Sequence, residues 1–270
     1  MAAPTKERLA RSDAELQELI ALIEGADSVE LKLTLPDSDQ RSTITALALD
    51  PLDAQIRQVF FLDTPELTLS EHGVVVRARR VQRKGDDSVV KLRPVVPGDL
   101  PDDIRSSAAF GVEVDASPEG FVCSGSMKGI PGSSVREAVG GKQPLRKLFS
   151  KEQRAFFAEH APDGVEIDDL SVLGPIFVLK LKYSPEELGR RLVAELWLYP
   201  DDTRILELST KCAPAEAFQI AAETRAYLAA RGVNLDGEQQ TKTKTALEYF
   251  ARQLREEESK GALSLTRLGR

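Results

Sequence analysis

The 270-residue sequence has few of the residues that build redox, disulfide or histidine-based metal sites. Its two cysteines, Cys123 and Cys212, lie far apart and match no metal-ligand spacing, so we interpret them as reduced thiols. Its two histidines, His72 and His160, lie near turn-forming residues and are expected in loops. Serine and cysteine nucleophiles therefore lack a plausible histidine partner, which argues against covalent triad chemistry.

Long apolar runs and an excess of basic charge are also missing. No stretch of 18 apolar residues occurs, so we expect neither a transmembrane helix nor a membrane partner. The segment Met1–Leu22 carries many charges and no apolar signal-peptide core, which predicts a short amphipathic helix and a cytoplasmic location. A net charge of −7 argues against sequence-specific binding of nucleic acid, so an anion site would have to be a local basic cluster.

Alternation of apolar and polar residues dominates what is present, and it predicts a mostly β protein. Strands are predicted at Val29–Leu35, Ser42–Leu49, Ile56–Leu62, Val74–Arg83, Ser88–Val95, Phe110–Asp115, Phe121–Ser126, Ile176–Tyr183, Arg191–Tyr199 and Arg204–Lys211. Helices are predicted at Ala10–Ile23, Val135–His160 with an interruption, Pro185–Leu192, Pro214–Arg231 and Thr241–Glu258. We therefore predict a helical extension over residues 1–26, one domain over 27–250 with an enlarged central region at about 97–175, and a helix end with a frayed tail over 251–270.

Charged residues repeat at i and i+2 in several predicted strands, which places them on one face of the sheet. Some of these pairs are wholly basic and others are acidic: Arg77 with Arg79, Lys91 with Arg93, Lys180 with Lys182, Glu113 with Asp115, and Glu195 beside Glu207 on adjacent hairpin strands. The sequence has no Walker loop, no Gly-rich dinucleotide turn and no HExxH motif, so phosphate recognition would depend on such side chains.

A sheet with its charged face in water is the simplest interpretation of any one strand. Like charges on one strand face repel each other, however, and a multiply charged anion or a divalent metal would compensate them. Closing the sheet would bring both kinds of pair into one enclosure, since a barrel of about eight strands is wide enough for one small ligand. We predict an α+β fold of mostly antiparallel strands: a closed eight-stranded barrel with a charged interior and an apolar outer face covered by helices.

Two sequence runs resemble the CYTH family, also called the triphosphate tunnel metalloenzymes. The run Phe60-Phe61-Leu62-Asp63-Thr64-Pro65-Glu66-Leu67, followed by Gly73 and Val76-Arg77-Ala78-Arg79, is similar to that family's YFDTP-x-L and LRxR elements. Lys91 matches the next basic position. The resemblance covers roughly residues 27–250.

Two acidic elements of that family are incomplete in this chain. Its first-strand ExExK run is represented by Glu30 and Lys32, with Ser28 in place of the first Glu. Its late acidic pair is represented by Glu207, with Ser209 at the second position.

The resemblance implies a tunnel that binds a triphosphate-containing small molecule with Mg²⁺ or Mn²⁺, and it leaves a homodimer open. It implies metal ligation by Glu30, Glu113, Glu195 and Glu207 and catalytic roles for Glu30, Lys32 and Lys244. The expected phosphate-binding residues are Lys32, Arg77, Arg79, Lys91, Arg93, Lys180, Lys182, Lys211, Lys242 and Lys244. For Arg93, Lys180, Lys182 and Lys211, the pattern leaves a solvent-facing role equally open.

Three functions share such a site. The first is metal-dependent hydrolysis of inorganic, nucleoside or thiamine triphosphate. The second is an adenylate cyclase of class IV type, in which the ribose hydroxyl replaces water. The third is a non-catalytic triphosphate or polyphosphate binder, which the replacement of two carboxylates by Ser28 and Ser209 favours.

Overall fold

The structure is a computed structural model that describes residues 13–236, 239 and 241–268, with the backbone alone at 13–16, 18 and 257–268. The remainder of the predicted N-terminal extension, residues 1–12, and the last two residues of the predicted tail lie outside this description. No helix among the described residues is long and apolar enough to cross a membrane.

The strands close into a barrel. They are Ser28–Leu35 (β1), Gln55–Asp63 (β2), Val74–Val81 (β3), Asp87–Leu92 (β4), Phe110–Ser117 (β5), Gly120–Gly129 (β6), Ser171–Tyr183 (β7), Leu192–Leu198 (β8) and Arg204–Cys212 (β9). Their order around the barrel is β1-β5-β6-β4-β3-β2-β7-β8-β9, and β9 pairs with β1. The closed barrel and the mostly antiparallel pairing are confirmed, but the predicted strand number is wrong: the barrel has nine strands, and one pairing, between β1 and β5, is parallel.

Helices surround the barrel and cover much of its outer face. The described α-helices are Asp13–Glu24 (α1), Asp37–Ala46 (α2), Thr68–Glu71 (α3), Asp102–Arg105 (α4), Val135–Val139 (α5), Lys151–His160 (α6), Ala217–Ala230 (α7) and Lys242–Leu268 (α8). A capping box formed by Ser150 and Gln153 fixes the start of α6.

Three segments differ from the predictions. The predicted strand Ser42–Leu49 is the end of α2 and the turn after it, because Asp37 and Asp39 occupy the first turn of a helix that buries Gln40 and Thr43 at helical spacing. The predicted helix after Pro185 is a turn. The last helix continues to Leu268, beyond its predicted end.

The core lies outside the barrel wall, between the sheet and the helices. Val76 and Val90 are buried against Phe156 and Phe157 of α6. On another side, Val114 packs with α1, and β9 packs with α7 in the same way. Since successive side chains of a strand alternate between faces, burying these residues outward turns their charged neighbours inward.

Helix α8 packs against apolar side chains at one end of the barrel interior. Ala246, Leu247 and Phe250 cluster with Phe61 and Trp197, which belong to the interior-facing set. This end of the interior is therefore apolar and packed, and the charged residues line the remaining space.

Candidate anion and metal site

The barrel encloses a cavity of about 1410 Å³, larger than most small-molecule sites. Its wall is built from the interior-facing residues of all nine strands together with the start of α8. The charged residues that line it include Glu30, Lys32, Arg57, Arg77, Arg79, Lys91, Arg93, Glu113, Asp115, Lys180, Glu195, Glu207, Lys211, Lys242 and Lys244.

Three arginines of β2 and β3 form one wall of the cavity. Arg79 makes a bidentate pair with Asp87, with both contacts at 2.7 Å. Arg57 is buried, and its guanidinium donates only to the neutral amide oxygen of Gln55 in the described contacts. The Nε of Arg77 is buried and has no hydrogen-bond partner among the described residues.

The electrostatics of this arginine wall favour an anion. Burial, reinforced by the neighbouring charge of Arg79, lowers the pKa of Arg77 to about 9. Burial also lowers the pKa of Arg57, and Arg79 acts in the same direction. The positive charges on this wall thus destabilise one another, and an anion placed between them would remove that cost.

A second group of cations surrounds Asp115 of β5. The Nζ of Lys32 lies 2.6 Å from Asp115 and 3.0 Å from Glu30, and Arg93 lies 2.7 Å from Asp115. Burial acts to raise the pKa of the Asp115 carboxyl. The positive charges of Lys32, and to a smaller extent of Lys91 and Arg93, outweigh burial and hold that pKa below its usual value. Lys91 is more weakly paired, at 3.8 Å, and burial lowers its pKa to about 8 although Asp115 acts in the opposite direction.

A third group joins two carboxylates to two lysines. Glu195 and Glu207 are direct cross-strand partners, an arrangement that is unfavourable for like charges. Lys242 donates to both carboxylates, at 2.7 and 2.6 Å, and Lys180 donates to the other oxygen of Glu195 at 2.7 Å. Although burial acts in the opposite direction, Lys242 and Lys180 hold the pKa of Glu195 well below its usual value.

Carboxylates suitable for a metal meet where β1 and β5 pair. The parallel register aligns Ser28 with Glu113 and Glu30 with Asp115. Carboxylate oxygens of Glu30, Glu113 and Asp115 lie within 4.8 Å of one another, and oxygen donors of this kind suit Mg²⁺ or Mn²⁺.

Most predicted site residues line the cavity, but they pair differently from what the sequence pattern implied. Several charges in the like-charged pairs are compensated by opposite charges on other strands, and two of these contacts follow the register directly, but Arg77 forms no ion pair in the described contacts. Lys180 lies opposite Glu195, Arg79 lies opposite Asp87, and Lys211 pairs with Glu113. Of the predicted metal ligands, Glu30 and Glu113 come together, whereas Glu195 and Glu207 form the separate lysine-bridged group.

Two predicted phosphate ligands lie at unfavourable positions. Lys182, near the end of β7, is exposed and is not part of the cavity wall. The Lys244 side chain is 73% exposed and faces Glu248 at the cavity edge, while Lys242 lies inside. Lys211 is also more than half exposed.

Arg57 was not predicted as a cavity residue, and Asp115 was not predicted among the carboxylates that could hold a metal. Arg57 escapes a search for charge at i and i+2 because its same-face neighbours are Gln55 and Val59. The sequence does contain a sign of its position. Arg57 and Phe61 of the motif run are an even number of residues apart on one strand, so their side chains must lie on the same face of the sheet.

No protein-family model matches the chain, and no curated protein matches it significantly. Solved structures do match. A candidate adenylate cyclase from Bacillus halodurans is 12% identical with a TM-score of 0.55, over 81% of this chain and 97% of that one. A candidate adenylyl cyclase from Hippeastrum, described as having a dominant triphosphatase activity, is 15% identical with a TM-score of 0.57, over 80% of this chain and 92% of that one.

The chain has the fold of these two proteins. The fold that the resemblance to the CYTH family implied is thereby confirmed. At these identities the likeness extends to the fold alone.

Proposed function

We propose that the cavity binds the triphosphate group of a small molecule and that the protein is a slow, metal-dependent triphosphatase. The observation that carries the proposal is Arg77, a guanidinium in the cavity wall whose Nε is buried and unpartnered among the described residues. A buried cation without a counter-ion is costly, and a phosphate oxygen is the partner that a guanidinium fits best. The dominant triphosphatase activity of the Hippeastrum protein of the same fold supports the choice of reaction.

Several phosphoryl groups fit this cavity better than one. The arginine wall and the Lys32, Lys91 and Arg93 group line the same cavity, so their cations can engage different phosphates of one chain. Arg57 and Arg77 would bind oxygens directly, because neither forms an ion pair in the described contacts. Charge that develops on the transferred phosphoryl group would be stabilised by the same fixed cations.

A metal fits one of the two clusters of carboxylates in the cavity better than the other. Glu30, Glu113 and Asp115 would hold Mg²⁺ or Mn²⁺, which supplies charge neutralisation of phosphate oxygens and activation of water when bound. Glu195 and Glu207 fit it less well, because they are two carboxylates bridged by one ammonium, whereas Glu30, Glu113 and Asp115 bring three carboxylates together although cations also pair with them. In this arrangement Lys32, between Glu30 and Asp115, orients both carboxylates and offers its ammonium to the phosphates.

Thermal shift tests the proposed ligand. Inorganic triphosphate should raise the melting temperature more than pyrophosphate, and pyrophosphate more than phosphate, since more of the cations are satisfied by the longer anion. Arg77→Ala should lose at least half of the triphosphate shift. The matched control is Arg80→Ala, because Arg80 lies on the same strand at opposite parity and donates to Gln58. Equal shifts from all three anions, or an equal loss in both variants, would contradict a cavity matched to triphosphate.

A non-catalytic triphosphate binder is the second candidate, and Ser209 favours it. Ser209 is buried, and its hydroxyl donates to Oε1 of Glu30 at 3.2 Å. Ser28 lines the cavity beside Glu113 in the β1–β5 register. A neutral hydroxyl is a weaker ligand for a hard cation than a carboxylate, so a second metal would bind poorly and hydrolysis would be slow or absent.

Phosphate release by the wild type distinguishes these candidates, and restoring the two carboxylates tests the role of the serines. We expect Ser28→Glu with Ser209→Glu to release phosphate from triphosphate at least tenfold faster with Mg²⁺ or Mn²⁺, with similar triphosphate affinity. The Ser28→Gln, Ser209→Gln variant adds similar volume without charge and should show no gain. A wild type that turns over rapidly, together with a slower double Glu variant, would show that the serines do not replace metal ligands.

A further inference from the structure

The lysine at the start of α8 occupies the carboxylate pair that the family resemblance assigns to a metal. Lys242 Nζ lies 2.7 Å from Glu195 Oε2 and 2.6 Å from Glu207 Oε1, so a single ammonium bridges the two carboxylates. All three side chains are largely buried, with 16%, 12% and 7% of their surfaces exposed. Trp197 completes the group, since its indole N–H donates to Glu195 and its ring lies 5.0 Å from the Lys242 ammonium.

The charge of this group is balanced without a metal. Two carboxylates face two ammonium groups, because Lys180 also donates to Glu195. A divalent cation that entered between Glu195 and Glu207 would have to displace Lys242 and would then lie close to two buried ammonium groups. That exchange is unfavourable, since burial makes an uncompensated charge expensive.

Helix packing holds Lys242 in this position. The hydroxyl of Tyr199 donates to the backbone carbonyl of Lys242 at 2.9 Å, and the next turns of α8 bury Ala246 and Leu247 against the barrel interior. The backbone of Lys242 is therefore held against the barrel, within reach of both carboxylates. From that position its ammonium contacts Glu195 and Glu207 as part of the cavity wall.

We propose that Lys242 is the resident cation of the Glu195–Glu207 pair, so that this end of the cavity binds no metal and α8 is fastened there by an internal ammonium. The proposal deepens the proposed function, because it limits the protein to metal sites elsewhere in the cavity, but its test needs no triphosphate. Lys242 acts here as a positioning residue that keeps the two carboxylates together and, with Lys180, balances their charge.

Metal titration tests the proposal on the full chain. Lys242→Met removes the ammonium and keeps an unbranched side chain, and Lys244→Met is the matched control two residues along the same helix, at an exposed position. By calorimetry, Lys242→Met should bind one more equivalent of Mn²⁺ than the wild type and Lys244→Met. Adding Glu207→Gln to Lys242→Met should abolish that gain. Trp197 is the only tryptophan of the chain, so its fluorescence should change with the added equivalent.

Stability gives a second readout if Lys242→Met folds poorly. Removing one partner of a buried ion pair is strongly destabilising, and Mn²⁺ should then raise the melting temperature of Lys242→Met more than that of the wild type. A wild type that loses an equivalent of Mn²⁺ on Glu207→Gln, or a Lys242→Met variant that gains none, would overturn the proposal. Failure of triphosphate to stabilise the wild type would instead refute the proposed function and leave this result intact.

Discussion

Val76→Asp should unfold the protein, whereas Arg77→Gln, one residue further along β3, should leave it folded. Val76 is 1% exposed and packs in the cluster that includes Phe156 and Phe157 of α6. An aspartate there would be an unpaired buried carboxylate, which costs several kcal/mol of a total stability of about 5–15 kcal/mol. Arg77 faces the cavity and repels its neighbours, so removing its charge should change the free energy of unfolding by less than about 1 kcal/mol or raise it.

Denaturant melts of the two variants measure this difference, and triphosphate binding is measured alongside. Arg77→Gln should fold but bind triphosphate weakly. Leu31→Asp should be destabilised less than Val76→Asp, because Leu31 is only partly buried on the outer face. A tolerated Val76→Asp with a destabilised Arg77→Gln would mean that the barrel faces are assigned the wrong way round.

The alternation of apolar and polar residues that assigns Val76 to the outer face and Arg77 to the cavity also predicts most of the barrel. Each of the nine strands overlaps a predicted one, because one face of every strand is buried and the period of two is strong there. The segment Ser42–Leu49 was assigned wrongly for a physical reason. Its alternating Ile44, Ala46 and Ala48 mimic a strand, while the helix is decided by burial of Gln40, whose amide donates to the Arg204 carbonyl across the chain.

Two features of the cavity could not be read from strand patterns. Lys242 and Lys244 look equivalent at i and i+2, but on a helix these positions point about 200° apart, so Lys242 lies inside the cavity while Lys244 stays at its edge. The partner of each charge depends on cross-strand register, which local sequence does not reveal. Lys180 opposite Glu195 and Glu30 opposite Asp115 are consequences of that register.

Asp115 lies among three cations that the fold brings together, and replacing it is expected to have the second large effect, a loss of stability. Its side chain is 4% exposed and lies close to Lys32, Lys91 and Arg93. Asp115→Asn keeps the shape and removes the only described carboxylate that these three cations share. Breaking buried ion pairs by removing one partner costs about 3–5 kcal/mol, so we expect a loss of that order in the free energy of unfolding without ligand.

Triphosphate should reverse part of that loss. With Asp115 neutral, the anion becomes the main counter-charge for Lys32, Lys91 and Arg93, so its stabilising effect should be larger in Asp115→Asn than in the wild type. Asp87→Asn is the matched control, since Asp87 pairs with Arg79 and is 32% exposed, and its loss should be about 1 kcal/mol or less. Denaturant melts with and without triphosphate, in metal-free buffer, measure both effects. If Asp115→Asn is as stable as the wild type, Asp115 is not an important counter-charge of these cations. If triphosphate stabilises both proteins by the same amount, the cations around Asp115 are not the ones that the anion engages.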